Sequence, residues 1–479
     1  MPELNNLFSE IELGGMVLKN RIVMPPMLTG FAAEDGSVTD RMLAYYRERA
    51  RGGAALITVE STNIEVPSGD HYLRQLSIGD DHFCEGLASL AGAIQEGGAK
   101  ASIQVGHQGR YCAPFITGTG PLSPSREDPL DYWPESQEMG EDDIHRVTCE
   151  LAAAAGRARD AGFDAVELHG AHGYLLCQFL SHLTNRREDR YGGDVVSRAA
   201  FPVEVVEAVR AEVGEGFPIV LRLSADEFAP GGITVEDTVV TAGMAEDAGV
   251  DCLHISAGSH QSKKPMSIAP MAFPRGCLVH LASRVKQAVN VPVMAVGRIN
   301  DAILADSIMG EGKADLIAMG RALIADPELP AKAERGEEGT IRPCIACNTC
   351  IDESVMRAQP LVCAVNARVG VEEEREIKRA GTPRSVAVLG GGPAGMEAAR
   401  VAALRGHRVT LHEKGPELGG QLLLASKPPF KEEIANLTRY LESEMSRLGV
   451  GVELRSTLDE DEVLGAEQDA VVVATGALP

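Results

Sequence analysis

Residues 164–224 open with DAVELHG (164–170) and close with PIVLRLS (218–224), two short β-branched, apolar runs separated by a stretch of helical periodicity at 196–213. A run buried on both faces, then a helix, then another such run marks a parallel sheet. The same beat extends in both directions. RIVMPPML (21–28), AALITVES (54–61) and KASIQVGH (100–107) come before it. CLHISAG (252–258), VPVMAVG (291–297) and DLIAMG (315–320) follow, with a second helical stretch at 235–249. Eight such units within roughly 330 residues predict an α/β fold of the (β/α)8 TIM-barrel type rather than a doubly wound sheet.

The barrel leaves about a third of the 479 residues unused, so further domains are expected. A net charge of −24 with no basic run argues against nucleic acid or an anionic membrane as partner. No stretch approaches the ~18 apolar residues of a membrane span. The opening MPELNNLFSEIELGG carries acids and no cationic segment leading into an apolar one, so a secretory signal is not expected and the cytoplasm is the default. Six of the ten cysteines, Cys84, Cys112, Cys149, Cys177, Cys252 and Cys277, are scattered and read as reduced thiols; the other four are clustered.

Polar residues gather at the C-terminal ends of the predicted strands, where barrel enzymes carry their chemistry. Gln104 and His107 end the third, His169 and His172 the fourth, Arg222 the fifth, and His260 follows the sixth. The seventh ends in Gly297-Arg298 and the eighth in Gly320-Arg321. Glycine lets backbone N–H groups approach an anion and arginine adds a charged fork, so the two pairs predict a phosphorylated cofactor in the barrel mouth.

RIVMPPM (21–27), HGAHGYLLCQFLSHLTNRREDRYGG (169–193) and MGRALIADP (319–327) resemble the old yellow enzyme family of FMN-dependent reductases across the whole barrel. With the downstream segments, the resemblance narrows to its long branch, which includes 2,4-dienoyl-CoA reductase, 2-enoate reductase and trimethylamine dehydrogenase. It implies that Pro25, Pro26 and Met27 lie along the flavin. Gln104 and Arg222 would contact its ring, and the two Gly-Arg pairs would hold its phosphate. His169 and His172 would hydrogen-bond a substrate carbonyl, with Tyr174 as proton donor and His260 assisting it. Retention of both His169 and His172 departs from the dienoyl-CoA reductases, which lack the first, and from trimethylamine dehydrogenase, which has tyrosine there. The pair favours a carbonyl- or carboxyl-activated alkene over an amine. Read alone, a His-x-x-His pair also suits a metal site, but no third ligand follows at a useful spacing. Lys263 and Lys264 suit either a bound anion or plain solvation, and the acidic stretch 111–141, with Trp133, is expected to form a lid.

PCIACNTCIDESVMRAQPLVCAVN spaces Cys344, Cys347, Cys350 and Cys363 as Cys-x2-Cys-x2-Cys-x12-Cys. Three closely spaced thiolates with a fourth returning suit a 4Fe-4S cubane. Zinc is the rival, although structural zinc usually pairs two knuckles. The spacing also matches the cluster site of the long branch, which implies a one-electron relay.

After a charged linker at 371–384 comes SVAVLGGGPAGMEAARVAALRGHRVTLHEK. Strand, glycine turn (Gly390, Gly392, Gly395), helix and a second strand ending in Glu413 make the dinucleotide fingerprint in its required context. The turn would hold a pyrophosphate at the helix N-terminus and Glu413 the ribose. Gly419-Gly420-Gln421 and VVVATG (471–476) resemble the FAD domain of the same branch, whose later portions do not follow here. Three readings stay open: a fragment of a longer protein, a short enzyme reduced by a separate donor, or a half-domain that binds ADP-like ligands or holds FAD only loosely.

The expected organisation is an FMN-binding catalytic barrel (1–335), a 4Fe-4S segment with linker (336–384) and a partial Rossmann-like FAD domain (385–479). The expected function is an ene reductase acting on a small unsaturated substrate, in a homo-oligomer, with NADH, NADPH or a separate protein as electron source. An amine dehydrogenase or demethylase, and a non-catalytic electron-transfer subunit, are the alternatives.

Overall fold

The first barrel strand, β1, spans only Ile22–Met24, because Pro25 and Pro26 have no N–H to give a ladder. This computed structural model describes residues 4–65, 74–113, 120–126, 134–458, 460–465 and 468–477. The next strands are β2 (Leu56–Asn63), β3 (Lys100–Gly106), β4 (Ala165–Gly170) and β5 (Ile219–Ser224). They are followed by β6 (Cys252–Ser256), β7 (Val293–Ala295) and β8 (Leu316–Ala318). All eight pair in chain order, and β8 closes on β1 through Ile317 opposite Ile22 and Ala318 opposite Val23. The predicted barrel is present with every strand. One irregularity interrupts it, a register shift between Val59 and Ser61 that displaces Glu60 in β2.

Local signals set the outer helices. Val195–Val213 starts at Asp194, whose side chain accepts from the Ser197 N–H (2.9 Å), and ends at Gly214 with φ +79°. Val235–Asp247 begins with a capping box between Thr234 and Asp237.

Inside the barrel, period-two alternation stacks side chains in layers. The lowest layer is apolar. Val23, Leu56, Ala165, Val220, Cys252, Met294 and Leu316 pack on Leu13 and Leu18 from an N-terminal hairpin, Ile11–Leu13 with Met16–Leu18. Two residues further along β4, β5 and β6, the same inward face carries Glu167, Arg222 and His254. The barrel therefore changes from a dry plug to a polar mouth within one pleat.

The cysteine-rich segment lies on that mouth. Leu361 N–H donates to the Thr29 carbonyl (2.8 Å) and Met271 N–H to the Ala346 carbonyl (3.0 Å). A buried ion pair, Arg49–Glu372 (2.7 Å), ties helix Asp40–Arg51 to the same segment. Beyond it, β9 (Ser385–Leu389), β10 (Arg408–Glu413), β11 (Gly451–Leu454) and β12 (Ala470–Val473) form a parallel sheet in the order β11-β10-β9-β12. Val388, Met396, Leu411, Leu441 and Met445 form its core, which runs on to Ile345 and Val365 of the cysteine segment. Among the described residues no helix is long and apolar enough to cross a membrane.

Candidate active site

A cavity of about 380 Å³ opens at the C-terminal ends of the barrel strands. Pro25, Pro26, Met27, Gln104, His169, His172, Tyr174, Arg222, His260, Gly297, Arg298, Gly320 and Arg321 all line it. These predicted barrel residues, spread from Pro25 to Arg321, are thus brought to one wall system. His107, also expected at the mouth, is buried and does not line it.

Glu167 anchors the floor. Its Oε1 accepts from Gln104 Nε2 (2.7 Å) and its Oε2 pairs with His254 Nδ1 (2.9 Å). Burial pulls the carboxyl up, but His254, Arg222 and Gln104 outweigh it and keep Glu167 below the usual range. Arg222 is buried beside it, with Nε lacking a partner. Glu167 and His254 were not anticipated, yet the alternation along DAVELHG and CLHISAG points both inward.

The side wall is made of rings. Tyr174, in extended backbone just before the short helix Leu175–Leu180, lies 4.9 Å from His169 and 5.5 Å from His260 between ring centroids. His260 Nδ1 pairs with the His172 carbonyl (3.0 Å). Gly173 (φ +84°) makes that approach feasible, because a Cβ there would stand 3.2 Å from His260 Nδ1. Burial, reinforced by Arg222, holds His169 and His172 far below the usual imidazole range, so both are neutral. They differ in restraint. His172 Nε2 is engaged by Ser256 Oγ (2.8 Å) and its backbone N–H by Ser224 Oγ (2.9 Å), whereas His169 Nδ1 is buried without a partner. Ser256 therefore fixes the second ring, an arrangement the His-x-x-His spacing did not announce. Tyr111, from the expected lid, stacks on His260 at 3.9 Å. Trp133 lies outside the described residues, and Lys263 and Lys264 are exposed.

The two Gly-Arg pairs form the far corner. Gly320 lies so close to the floor that a Cβ would come within 2.8 Å of Met27 Sδ. Arg321 donates to Asn348 Oδ1 (2.5 Å) and the Ala269 carbonyl (2.9 Å). Arg298 keeps a buried, unpartnered Nε. Orphaned guanidinium N–H groups at Arg222 and Arg298, both lining the cavity, fit an anionic, phosphorylated ligand.

Asn348, held by Arg321, lies between two of the clustered cysteines. Ala346 and Asn348 adopt left-handed φ of +48° and +62°, which coils Cys344, Cys347 and Cys350 round one turn. Burial raises the Cys344 thiol to about 11 and that of Cys350 to about 12, and both feel the charge of Cys347 and Cys363. Among the described residues no three His, Cys, Asp or Glu gather round a single ion.

In the C-terminal sheet, a Cβ on Gly395 would come within 1.9 Å of the Gly390 carbonyl and one on Gly390 within 2.3 Å of the Ala474 carbonyl. Only glycine allows that turn to close. Glu413 accepts from the N–H groups of Gly391 and Gly415 (2.6 Å each), so its carboxylate props the turn. Gln421 begins the short helix Gln421–Ala425.

Barrel, polar mouth and glycine turn together define a flavin-dependent oxidoreductase. Residues 6–339 match the NADH:flavin oxidoreductase / NADH oxidase family, to which the chain belongs as a member of the long branch of old yellow enzyme relatives. Residues 385–471 match FAD dependent oxidoreductases. The chain is 45% identical to an NADH oxidase of Thermoanaerobacter brockii, over 100% of its own length and 74% of that protein's. It is 36% identical to an N,N-dimethylglycine/sarcosine dehydrogenase of Chromohalobacter salexigens, over 99% and 69% of the two chains. Its fold matches the solved 2-naphthoyl-CoA reductase–2-naphthoyl-CoA complex with a TM-score of 0.96 at 32% identity, covering 99% of this chain and 74% of that one.

Proposed function

We propose that this oxidoreductase reduces the C=C bond of an α,β-unsaturated carbonyl, carboxylate or thioester. One observation carries the reading: the described cavity lining holds three arginines, neutral imidazoles and a phenol, and no Asp or Glu. Such a site stabilises negative charge developing on a substrate oxygen. A substrate ammonium would meet no carboxylate in that lining, which weighs against the amine reading despite the dehydrogenase relative. The 2-naphthoyl-CoA reductase likeness supports a reductive role.

Pro25, Pro26 and Met27 would support FMN, Gln104 and Arg222 would meet its ring, and Gly297-Arg298 with Gly320-Arg321 would hold its phosphate. When bound, FMN supplies the hydride. A 4Fe-4S cluster on Cys344, Cys347, Cys350 and Cys363 would supply single electrons, and Gly390, Gly392, Gly395, Glu413 and Gln421 would bind the nucleotide of FAD. His169 and His172 polarise the substrate's oxygen, the second ring steadied by Ser256. Tyr174 Oη gives its proton to the α-carbon while the β-carbon gains hydride, and solvent restores the phenol. His260 positions that phenol. The working units are residues 1–335, 336–384 and 385–479.

The test is anaerobic. Enzyme reduced by dithionite is mixed with enones, enoates and enoyl thioesters, and reoxidation of the flavin absorbance is followed. Tyr174→Phe should keep its flavin and react ~10²–10⁴-fold more slowly with the preferred alkene. Equal rates would remove Tyr174 from the mechanism. Bleaching of oxidised flavin by a methylamine, with every alkene inert, would replace the reductase by the dehydrogenase.

A further inference from the structure

The phosphate corner takes one of its groups from the far end of the chain. Glu433, just before helix Ile434–Arg447 of the C-terminal unit, accepts from Arg298 Nη2 (2.5 Å). It also accepts from Nε and Nη2 of Arg275 (2.9 and 2.7 Å), which Asp301 holds in turn (2.7 Å). Arg298 Nη1 donates to the Pro270 carbonyl (3.0 Å). Both terminal nitrogens of Arg298 are therefore held, and its side chain is 1% exposed. What remains is Nε–H, buried, unpartnered and on a residue that lines the cavity. Burial pulls the Glu433 carboxyl up, but the two arginines outweigh it and keep it ionised.

We propose that Glu433 is a positioning residue of the FMN phosphate site: the C-terminal unit orients Arg298 so that its Nε edge meets the phosphoryl group. The inference rests on the reading that Arg298 takes the FMN phosphate. Two effects oppose each other when Glu433 is lost. Removing a carboxylate leaves the corner more cationic, which favours a dianion. Against that, Arg298 loses a charged hydrogen bond and regains the rotamers of a long side chain, so its fork is no longer preset. Because the guanidinium is buried and already held at two points, its orientation is the larger factor. Glu433 bonds to Arg275, Arg298 and Asn436 and to none of the residues assigned to the flavin ring, so riboflavin binding should not sense the change.

The experiment compares FMN with riboflavin, which lacks the phosphate, binding to deflavinated full-length protein by flavin fluorescence quenching. Glu433→Ala should weaken FMN about tenfold, the scale of one charge-assisted hydrogen bond, and leave riboflavin unchanged. Glu433→Gln, which retains an acceptor oxygen, should lose less. Arg298→Ala tests the underlying reading and should likewise weaken FMN alone. If Arg298→Ala does not discriminate the two flavins, the phosphate assignment fails and this inference with it. If it does, but Glu433→Ala leaves FMN unchanged, binds it more tightly or weakens both flavins together, only the positioning role is overturned.

Discussion

Replacing Arg49 with Met tests how the cysteine segment is fastened to the barrel. Arg49 and Glu372 meet at 2.7 Å with side chains 1% and 3% exposed. The guanidinium also donates to the Tyr45 carbonyl (2.8 Å) and sits 3.6 Å above the Tyr45 ring. Arg49 Nε and Glu372 Oε2 are buried without partners, so the pair is not fully satisfied. Removing Arg49 strands a buried carboxylate, a cost of about 3–5 kcal/mol. Loss of the bond to Tyr45 adds about 1 kcal/mol. Replacing both residues by Met removes the stranded charge as well as its partner, so the double variant should recover most of the loss. Urea unfolding, with proteolysis of the cysteine segment as the local probe, would measure each corner of the cycle. Single substitutions costing under about 1 kcal/mol and adding independently would refute the argument, because that is how a screened surface pair behaves.

Gly395→Ala should abolish nucleotide binding by the C-terminal unit while sparing barrel flavin, since its Cβ would collide with the Gly390 carbonyl at 1.9 Å; absorbance of the two flavin sites after reconstitution distinguishes them. Gly173→Ala should slow alkene reduction by roughly tenfold without changing flavin affinity, because the new methyl pushes His260 off the His172 carbonyl; rapid-mixing rates check it. Burial holds His107 down at about 4, and His169 and His172 are shifted in the same direction. Unfolded histidines bind protons near pH 6.5 and these folded ones do not, so stability is full above about pH 6.5 and falls as pH drops from there toward 4. Burial raises the Glu60 carboxyl to about 7, which opposes this trend in the same window. Denaturant midpoints of Glu60→Gln protein between pH 7.5 and 4.5 should therefore decline along that course, and a flat profile there would refute the assignment.

The eight strands were legible because each is a local pattern: apolar, β-branched, bounded by turns and spaced by helices. Where a boundary moved, the cause was also local, as at Pro25 and Pro26. The glycine turn at 390–395 was equally plain, since steric demands on a tight turn act on neighbouring residues. The barrel-mouth side chains could be nominated because strand ends can be counted. Their partners could not, apart from those that alternation within a single run points inward, such as Glu167 and His254.

Sequence alone thus determined the barrel, the dinucleotide unit, the cysteine spacing and the set of polar residues at the strand ends, all consequences of backbone geometry over a few residues. Only the tertiary structure decided which of those residues restrain one another. His172 is held by Ser256 from 84 positions away, and Arg298 by Glu433 from 135. Arg49 finds its counter-charge at Glu372. Such pairings depend on how β-strands close into a barrel and how a distant helix docks on it. Hydrogen bonds and desolvated charges act over a few ångströms of space, and separation along the chain carries no record of that distance.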